Sequence, residues 1–180
     1  MSPLPLLLLL SLLSPSISTQ NPKPSPPQTL IQKTCNTTTY YDLCVSSLSD
    51  DPKSQEADIR GLSTIIVNLT ATNATNTLSY MLSLATNTTN NSLKTLLRSC
   101  AAKYSNASEA LRKSMHSIDE DSYDDAFVYV SAAAEYPNVC RVLFRQQPKL
   151  VYPPELMKRE VALEKLCTVA LDIISLLISS

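Results

Sequence analysis

The chain reads as an all-α protein: an up-down-up-down four-helix bundle with an N-terminal helical hairpin extension, clamped by two disulfides. Three observations point there. A single glycine in 180 residues leaves almost no means of building glycine-dependent hairpin turns. Apolar residues recur at spacings of three and four rather than two, the period of a helix face. Five cysteines, at positions 35, 44, 100, 140 and 167, follow an apolar leader, a pattern of exported, oxidised domains.

Taken in chain order, the first ordered stretch is Leu30 to Leu48, which holds Thr34 and Thr39 as cap candidates, Tyr40, Tyr41, Leu43 and Leu48 as packing groups, and the first two cysteines. It is an appendage to the bundle. The first long helix is expected from near Ser54, whose hydroxyl can cap free backbone N–H groups, along Ile59, Leu62, Ile66 and Leu69 toward Met81 and Leu82. Thr70 to Thr77 is rich in Thr and Asn, and a kink or loop is expected there. The second carries the clearest stripe, Leu93, Leu96, Leu97, Cys100, Tyr104, Ala107, Leu111, Met115 and Ile118.

The third long helix is expected from Ser122, with Asp125 three residues on as an imperfect capping box, through Ala126, Phe127, Val130, Ala133 and Ala134, ending or bending at Pro137. Leu143 and Phe144 extend its pattern beyond Cys140, and Pro148, Pro153 and Pro154 mark a stiff connection. Pro153-Pro154-Glu155 opens the fourth, since proline is tolerated in a first turn and an early carboxylate complements the helix dipole. Its stripe runs Leu156, Leu163, Leu166, Cys167, Ala170, Ile173, Ile174 and Leu177, and Lys165 and Asp172 interrupt the segment, which argues for a core helix over a lipid-anchor signal.

Residues 1–20 read as a cleavable signal peptide: an apolar run Leu6 to Leu10 with Leu12 and Leu13, then small residues. The apolar core is about half the ~20 residues a membrane span requires. A Pro-rich spacer follows at 21–28, and 29–180 form one domain, long enough for a single core without metals. Asn-x-Ser/Thr occurs at Asn36, Asn68, Asn73, Asn87, Asn90 and Asn106, six of ten asparagines, which marks them as glycosylation candidates.

Four cysteines permit three connectivities. The eight residues between Cys35 and Cys44 would let a hairpin close on itself, and a Cys100–Cys140 bridge would tie two neighbouring helices; Cys167, in phase with an apolar face, then reads as a buried free thiol. A zinc site is poorly supported, with no CxxC pair and His116 as the only histidine.

The chain lacks GxSxG, HExxH and a phosphate-binding glycine loop. His116 reads as a solvated side chain, and Asp119, Glu120, Asp121, Asp124 and Asp125 as a helix start favoured by the dipole. A net charge of −1 with no basic tract gives no footing for nucleic acid or an anionic membrane. The reading is of a monomeric binding protein without a cofactor, not an enzyme.

Several segments together resemble the plant pectin methylesterase and invertase inhibitors over about Ile31 to Leu177. They are Cys35-x8-Cys44, Asp51-Pro52-Lys53-Ser54 with Ala57-Asp58-Ile59-Arg60-Gly61-Leu62, Cys100-Ala101-Ala102-Lys103-Tyr104, and Ser122-Tyr123-Asp124-Asp125-Ala126 leading through Val130-Ser131-Ala132-Ala133 to Cys140. The resemblance implies a four-helix bundle with an N-terminal hairpin, bridges Cys35–Cys44 and Cys100–Cys140, and a free Cys167. It also implies one-to-one, non-covalent inhibition in which the bundle covers the cleft of a carbohydrate-active enzyme of the cell wall or vacuole.

Invertase inhibitors of this family can carry a Pro-Lys-Phe motif that enters the fructosidase active site; the matching positions here are Ser122, Tyr123 and Asp124, so the motif is absent. Pro148-Lys149-Leu150 looks similar but falls before the last helix and is not given that role. Leu163-Glu164-Lys165-Leu166-Cys167 looks like the C-terminal helix of the pectin methylesterase inhibitors. Pectin methylesterase is therefore the favoured target and invertase the alternative. The expected contact surface is the Ser122 to Val130 helix start, with Ser122, Tyr123, Asp124 and Asp125 as interface residues and Tyr123 as anchor. A secreted carrier of apolar ligands and a structural wall glycoprotein remain as other classes.

Overall fold

The computed structural model describes residues 28–179; the expected leader and all of the spacer but Gln28 lie outside them. Six α-helices and no strand occur among the described residues. Helices α1 (Leu30–Cys35) and α2 (Tyr41–Ser49) form the hairpin, a 3-10 turn spans Pro52–Gln55, and the bundle is built from α3 (Ile59–Asn87), α4 (Asn91–Asp119), α5 (Tyr123–Arg145) and α6 (Pro154–Ile178). Helix α3 packs on α4 and α6, and α5 packs on α4 and α6, so consecutive helices are neighbours around a square.

The stripes expected from the sequence are the core. Leu62, Ile66 and Met81 of α3, Leu97, Tyr104 and Leu111 of α4, Val130 of α5, and Leu156, Leu163, Ile173 and Ile174 of α6 are sealed from solvent. Burial of this kind, worth about 1.5–3 kcal/mol for each large side chain, is what holds the bundle.

Several boundaries differ from the sequence reading. Helix α1 is capped by Thr29, which forms a reciprocal capping box with Gln32, whereas Thr34 is buried inside the helix. Thr39 caps nothing; its backbone N–H donates to Asp172 Oδ2 at 2.7 Å and so docks the hairpin on α6, helped by Lys165 Nζ 5.3 Å from the Tyr40 ring centre. Ser54 is buried in the 3-10 turn, and Asp58 caps α3 through Gly61 N–H at 2.8 Å.

No break occurs at Thr70 to Thr77. Helix α3 is continuous because the hydroxyls of Thr70, Thr75 and Thr77 donate to carbonyls four residues back rather than competing with the ladder. Pro137 does not end α5, which continues to Arg145; it is buried inside the helix, one turn before Cys140. An interior proline costs about 3 kcal/mol, and core packing with the covalent tie next to it offsets that. Two disulfides are present: Cys35–Cys44 closes the hairpin (Cα–Cα 5.5 Å) and Cys100–Cys140 joins α4 to α5 (5.1 Å). Cys167 is free and buried.

Candidate functional site

The up-and-down path brings the start of α3, the end of α4, the start of α5 and the end of α6 to one end of the bundle. The α4–α5 turn there must reverse the chain without glycine. Glu120 caps α4, Asp121 N–H donates to the Ile118 carbonyl and Ser122 N–H to the Ser117 carbonyl at 2.8 Å, the paired bonds of a Schellman motif. The left-handed position of that motif, φ 57°, is filled by Asp121. Asp and Asn tolerate this conformation better than other side-chain-bearing residues.

Arg60 at the start of α3 fixes the turn. Its Nε donates to the Ile118 carbonyl at 3.2 Å, which also accepts from Asp121 N–H, and its second guanidinium nitrogen donates to the Asp119 carbonyl at 2.6 Å, one of the last carbonyls of α4 without a partner inside the helix. The guanidinium also lies 3.4 Å from Asp121 Oδ1, and the Tyr123 hydroxyl donates to the same oxygen at 2.6 Å. That bond holds the Tyr123 phenol above its ordinary range, since ionising it would place two anions together. Tyr123 is thus oriented by a chain that runs from α3 through Asp121 to the first residue of α5.

Ser122, Tyr123, Asp124 and Asp125 come together, as the rim of a groove of about 420 Å³ closed on the far side by Leu177 and Ile178 of α6. Ser122 makes no side-chain capping bond, so the expected capping box with Asp125 does not form. Asp124 and Asp125 are exposed in the first turn, where they complement the helix dipole. Of the stretch expected to reach Val130, Ala126 and Val130 are sealed in the core, and only Asp124, Asp125 and Val128 are exposed. A second groove, about 560 Å³, lies beside it between α3 and α4 and includes Asp58, Arg60, Ile65, Met115 and Asp119.

Chemically this end is a carboxylate-rich surface with one oriented aromatic. The side chain of His116 is 69% exposed and 3.5 Å from Glu120, so it is a solvated surface group. Nothing here pairs a nucleophile with a base.

Of the six Asn-x-Ser/Thr asparagines, Asn36, Asn68, Asn87, Asn90 and Asn106 are exposed, and Asn73 is half-buried with its Oδ1 covered. Thr75 and Ser108, the hydroxyl residues of the Asn73 and Asn106 sequons, meet at 3.0 Å across α3 and α4. Asn90 Oδ1 caps α4 through Leu93 N–H at 3.1 Å, which leaves its Nδ2 for other use.

The sequence reading missed one cluster. Glu160 of α6 is completely buried; Arg141 Nε of α5 lies 3.1 Å from its Oε1 and the Tyr152 hydroxyl donates to its Oε2 at 2.7 Å. The Arg141 contact is an ion pair without hydrogen-bond alignment, and Arg141 bonds instead to Glu164 at 2.6 Å. Burial pushes the Glu160 carboxyl above the usual glutamate range in spite of Arg141. The buried Tyr104 hydroxyl nearby has no hydrogen-bond partner. The signal was readable: 156, 160, 163 and 167 share one helical phase, and 160 is the charged member.

Residues 29–173 match the family model described as plant invertase/pectin methylesterase inhibitor. The chain belongs to that family, whose members inhibit enzymes and are not enzymes themselves. It is 48% identical over 159 residues to Pectinesterase inhibitor 28 of Oryza sativa subsp. japonica, covering 84% of this chain and 70% of that protein. It is 41% identical over 172 residues to Cell wall / vacuolar inhibitor of fructosidase 2 of Arabidopsis thaliana, covering 95% and 96%. The fold matches the crystal structure of mutant form A of a pectin methylesterase inhibitor from Arabidopsis, with TM-score 0.67 at 19% identity over 82% of this chain and 97% of that one. Both target names therefore occur among its relatives.

Proposed function

We propose that this chain inhibits pectin methylesterase, one to one and without covalent chemistry, by laying the acidic end of its bundle over the enzyme's cleft. The observation that carries the reading is the anionic surface around Tyr123: Asp119, Glu120, Asp121, Asp124 and Asp125 within seven residues, exposed on a rigid end. An enzyme that turns methyl esters of a uronate polymer into carboxylates handles a polyanion along its cleft, and a carboxylate-rich surface complements a cleft built for that. Sucrose, the neutral substrate of an invertase, makes no such demand, and Tyr123-Asp124 stand where a Pro-Lys-Phe motif would carry its cation. Likeness to the fructosidase inhibitor over nearly its whole length keeps invertase as the second target to be tested.

The protein acts, on this reading, as a secreted, glycosylated monomer of the cell wall after removal of residues 1–20. Edman sequencing and glycosidase treatment of the secreted product test those two points.

The functional test is a pair of titrations, against purified pectin methylesterase and acid invertase. Wild type abolishes esterase activity at one equivalent and leaves invertase active. Tyr123→Ala, and separately charge reversal at Asp124 plus Asp125, each weaken inhibition by about tenfold or more, the loss of roughly one interface hot spot, with an unchanged circular dichroism spectrum. Unchanged inhibition in both variants removes this surface, and inhibition of invertase alone removes the target.

A further inference from the structure

The topology that gathers acids at one end gathers bases at the other. The end of α5, the α5–α6 connection and the first half of α6 contain Arg141, Arg145, Lys149, Lys158 and Arg159 against Glu155, Glu160 and Glu164, with Lys165 next to the last. Two of these cations are committed: Arg141 to Glu160 and Glu164, and Arg159 to Glu155 at 3.1 Å and to the Tyr80 ring. Arg145, Lys149 and Lys158 make no ion pair among the described residues. The chain as a whole carries −1, so this is a local cationic surface on a weakly acidic protein.

An apolar cavity of about 330 Å³ is lined by Arg141, Phe144, Arg145, Pro148, Leu150, Tyr152 and Met157; Arg145 is part of the lining, and Lys149 and Lys158 are each next in sequence to a lining residue and exposed. The Phe144 and Tyr152 rings pack edge to face, with centroids 4.7 Å apart, which fixes Tyr152, and the Tyr152 hydroxyl is locked on Glu160. Apolar side chains continue the surface outward: Val151 is 82% exposed and Met157 50%. A small apolar seat with the unpaired Arg145 in its wall and Lys149 and Lys158 next in sequence to that wall fits a ligand unit with an apolar face and a carboxylate edge. Its size is at the lower end of ligand pockets, roughly 300–1,000 Å³, which suits one sugar ring rather than a peptide segment.

No Asn-x-Ser/Thr lies on α5, α6 or their connection, while Asn87 and Asn90, at the turn from α3 to α4, share this end of the bundle with them.

We propose that this basic end binds a carboxylated pyranose polymer, a chain of uronic acid residues, seating one ring against Leu150, Tyr152 and Met157 while Arg145, Lys149 and Lys158 pair with carboxylates of that ring and its neighbours. Guanidinium and ammonium groups at an exposed surface bind carboxylates weakly one at a time, and a polymer engages several together. The protein is thereby held on an acidic polysaccharide by one end with the opposite end left free. This surface is separate from the inhibitory one and does not rest on the choice of target enzyme.

The test is affinity electrophoresis of the full secreted protein through gels containing polygalacturonate, fully methyl-esterified homogalacturonan, polyglutamate or dextran. Wild type is retarded by polygalacturonate, more at low than at high salt, and at least about tenfold less by the other three, since each lacks either the carboxylates or the rings. The triple substitution Arg145→Gln, Lys149→Gln, Lys158→Gln abolishes retardation, Met157→Asp weakens it severalfold, and charge reversal at Asp124 plus Asp125 does not reduce it. Enzyme inhibition by the triple variant stays as in wild type, which separates this result from the proposal for the acidic end. Absence of wild-type retardation, equal retardation by polyglutamate, or an unaffected triple variant overturns the proposal.

Discussion

Replacing Arg141 by leucine should leave Glu160 sealed in the core with Tyr152 as its single hydrogen-bond donor. Removing one partner of a fully sealed ion pair costs about 3–5 kcal/mol. The Arg141 side chain is 38% exposed, so water already screens part of its attraction, and a loss of about 2 kcal/mol at neutral pH is expected. The pH dependence follows from the direction of the Glu160 shift. Burial raises its folded-state pKa above the ordinary value of 4.5, so the folded protein binds that proton more tightly than the unfolded chain does. Its contribution to stability therefore rises as pH falls through the folded pKa and levels off below the unfolded one.

Without Arg141 the carboxyl is pushed further up, and the deficit of Arg141→Leu should be largest near neutrality and shrink on acidification as Glu160 takes up its proton. Urea unfolding followed by far-ultraviolet circular dichroism, at about pH 7 and about pH 4, measures it. Glu160→Gln, which keeps an acceptor for Tyr152, should recover at least about 1 kcal/mol of the loss in the double variant at neutral pH. A deficit independent of pH, or strictly additive single substitutions, would refute the account of this cluster.

Three further outcomes are expected. Replacing Cys100 and Cys140 by serine should destabilise by about 3.9 kcal/mol, against about 2.7 for Cys35 and Cys44, because the first bridge closes the longer loop; the ranking of urea midpoints checks it. Cys167, whose thiol is pushed up to about 12 by burial, with Glu164 adding to the effect, should resist iodoacetamide in the native protein and react on unfolding, as read by mass spectrometry. Gly61→Ala gains about 1 kcal/mol of helix propensity, yet its Cβ would stand 2.9 Å from Ala57 Cβ; overpacking of about 1–3 kcal/mol should win, and a raised melting temperature would show that the link holding Ala57, between the 3-10 turn and α3, yields instead.

How much of this was legible in the sequence depends on which interaction decided each feature. Long apolar stripes were legible because a side chain at Leu97 or Ile173 has one favourable place to go, and the spacing declares it. Helix starts were less so: Ser54, Thr34 and Thr39 are all competent caps, and the choice of Thr29 and Asp58 was made by how the hairpin and the 3-10 turn pack. Threonine-rich α3 looked breakable because propensity is local, whereas its hydroxyls found carbonyls within the helix and its neighbours buried Thr70 and Thr77. Tyr123 and the acids around it were located from sequence, but Arg60, 63 positions upstream, was not, because only the fold brings α3 onto the α4–α5 turn.

The same division explains why relatives named for two different targets share one fold with this chain. The core stripes, the two bridges and the Glu160 cluster are all decided by helices packing on each other and draw no group from the Ser122–Asp125 turn. Changing the groups on the Ser122–Asp125 turn alters the charge offered to an enzyme while the stripe positions Ala126 and Val130 beneath stay in the core. On the function proposed above, target choice is then a property of a handful of end residues on a scaffold indifferent to them. An exchange confined to that turn tests this directly: replacing Tyr123-Asp124 by Lys-Phe, which keeps Ser122 and the bond from its N–H to the Ser117 carbonyl, should leave the unfolding free energy within about 1 kcal/mol of wild type, since no core group changes. It should also weaken esterase inhibition. Retained inhibition at full strength, or collapse of the fold, would show that scaffold and specificity are not separable in this chain.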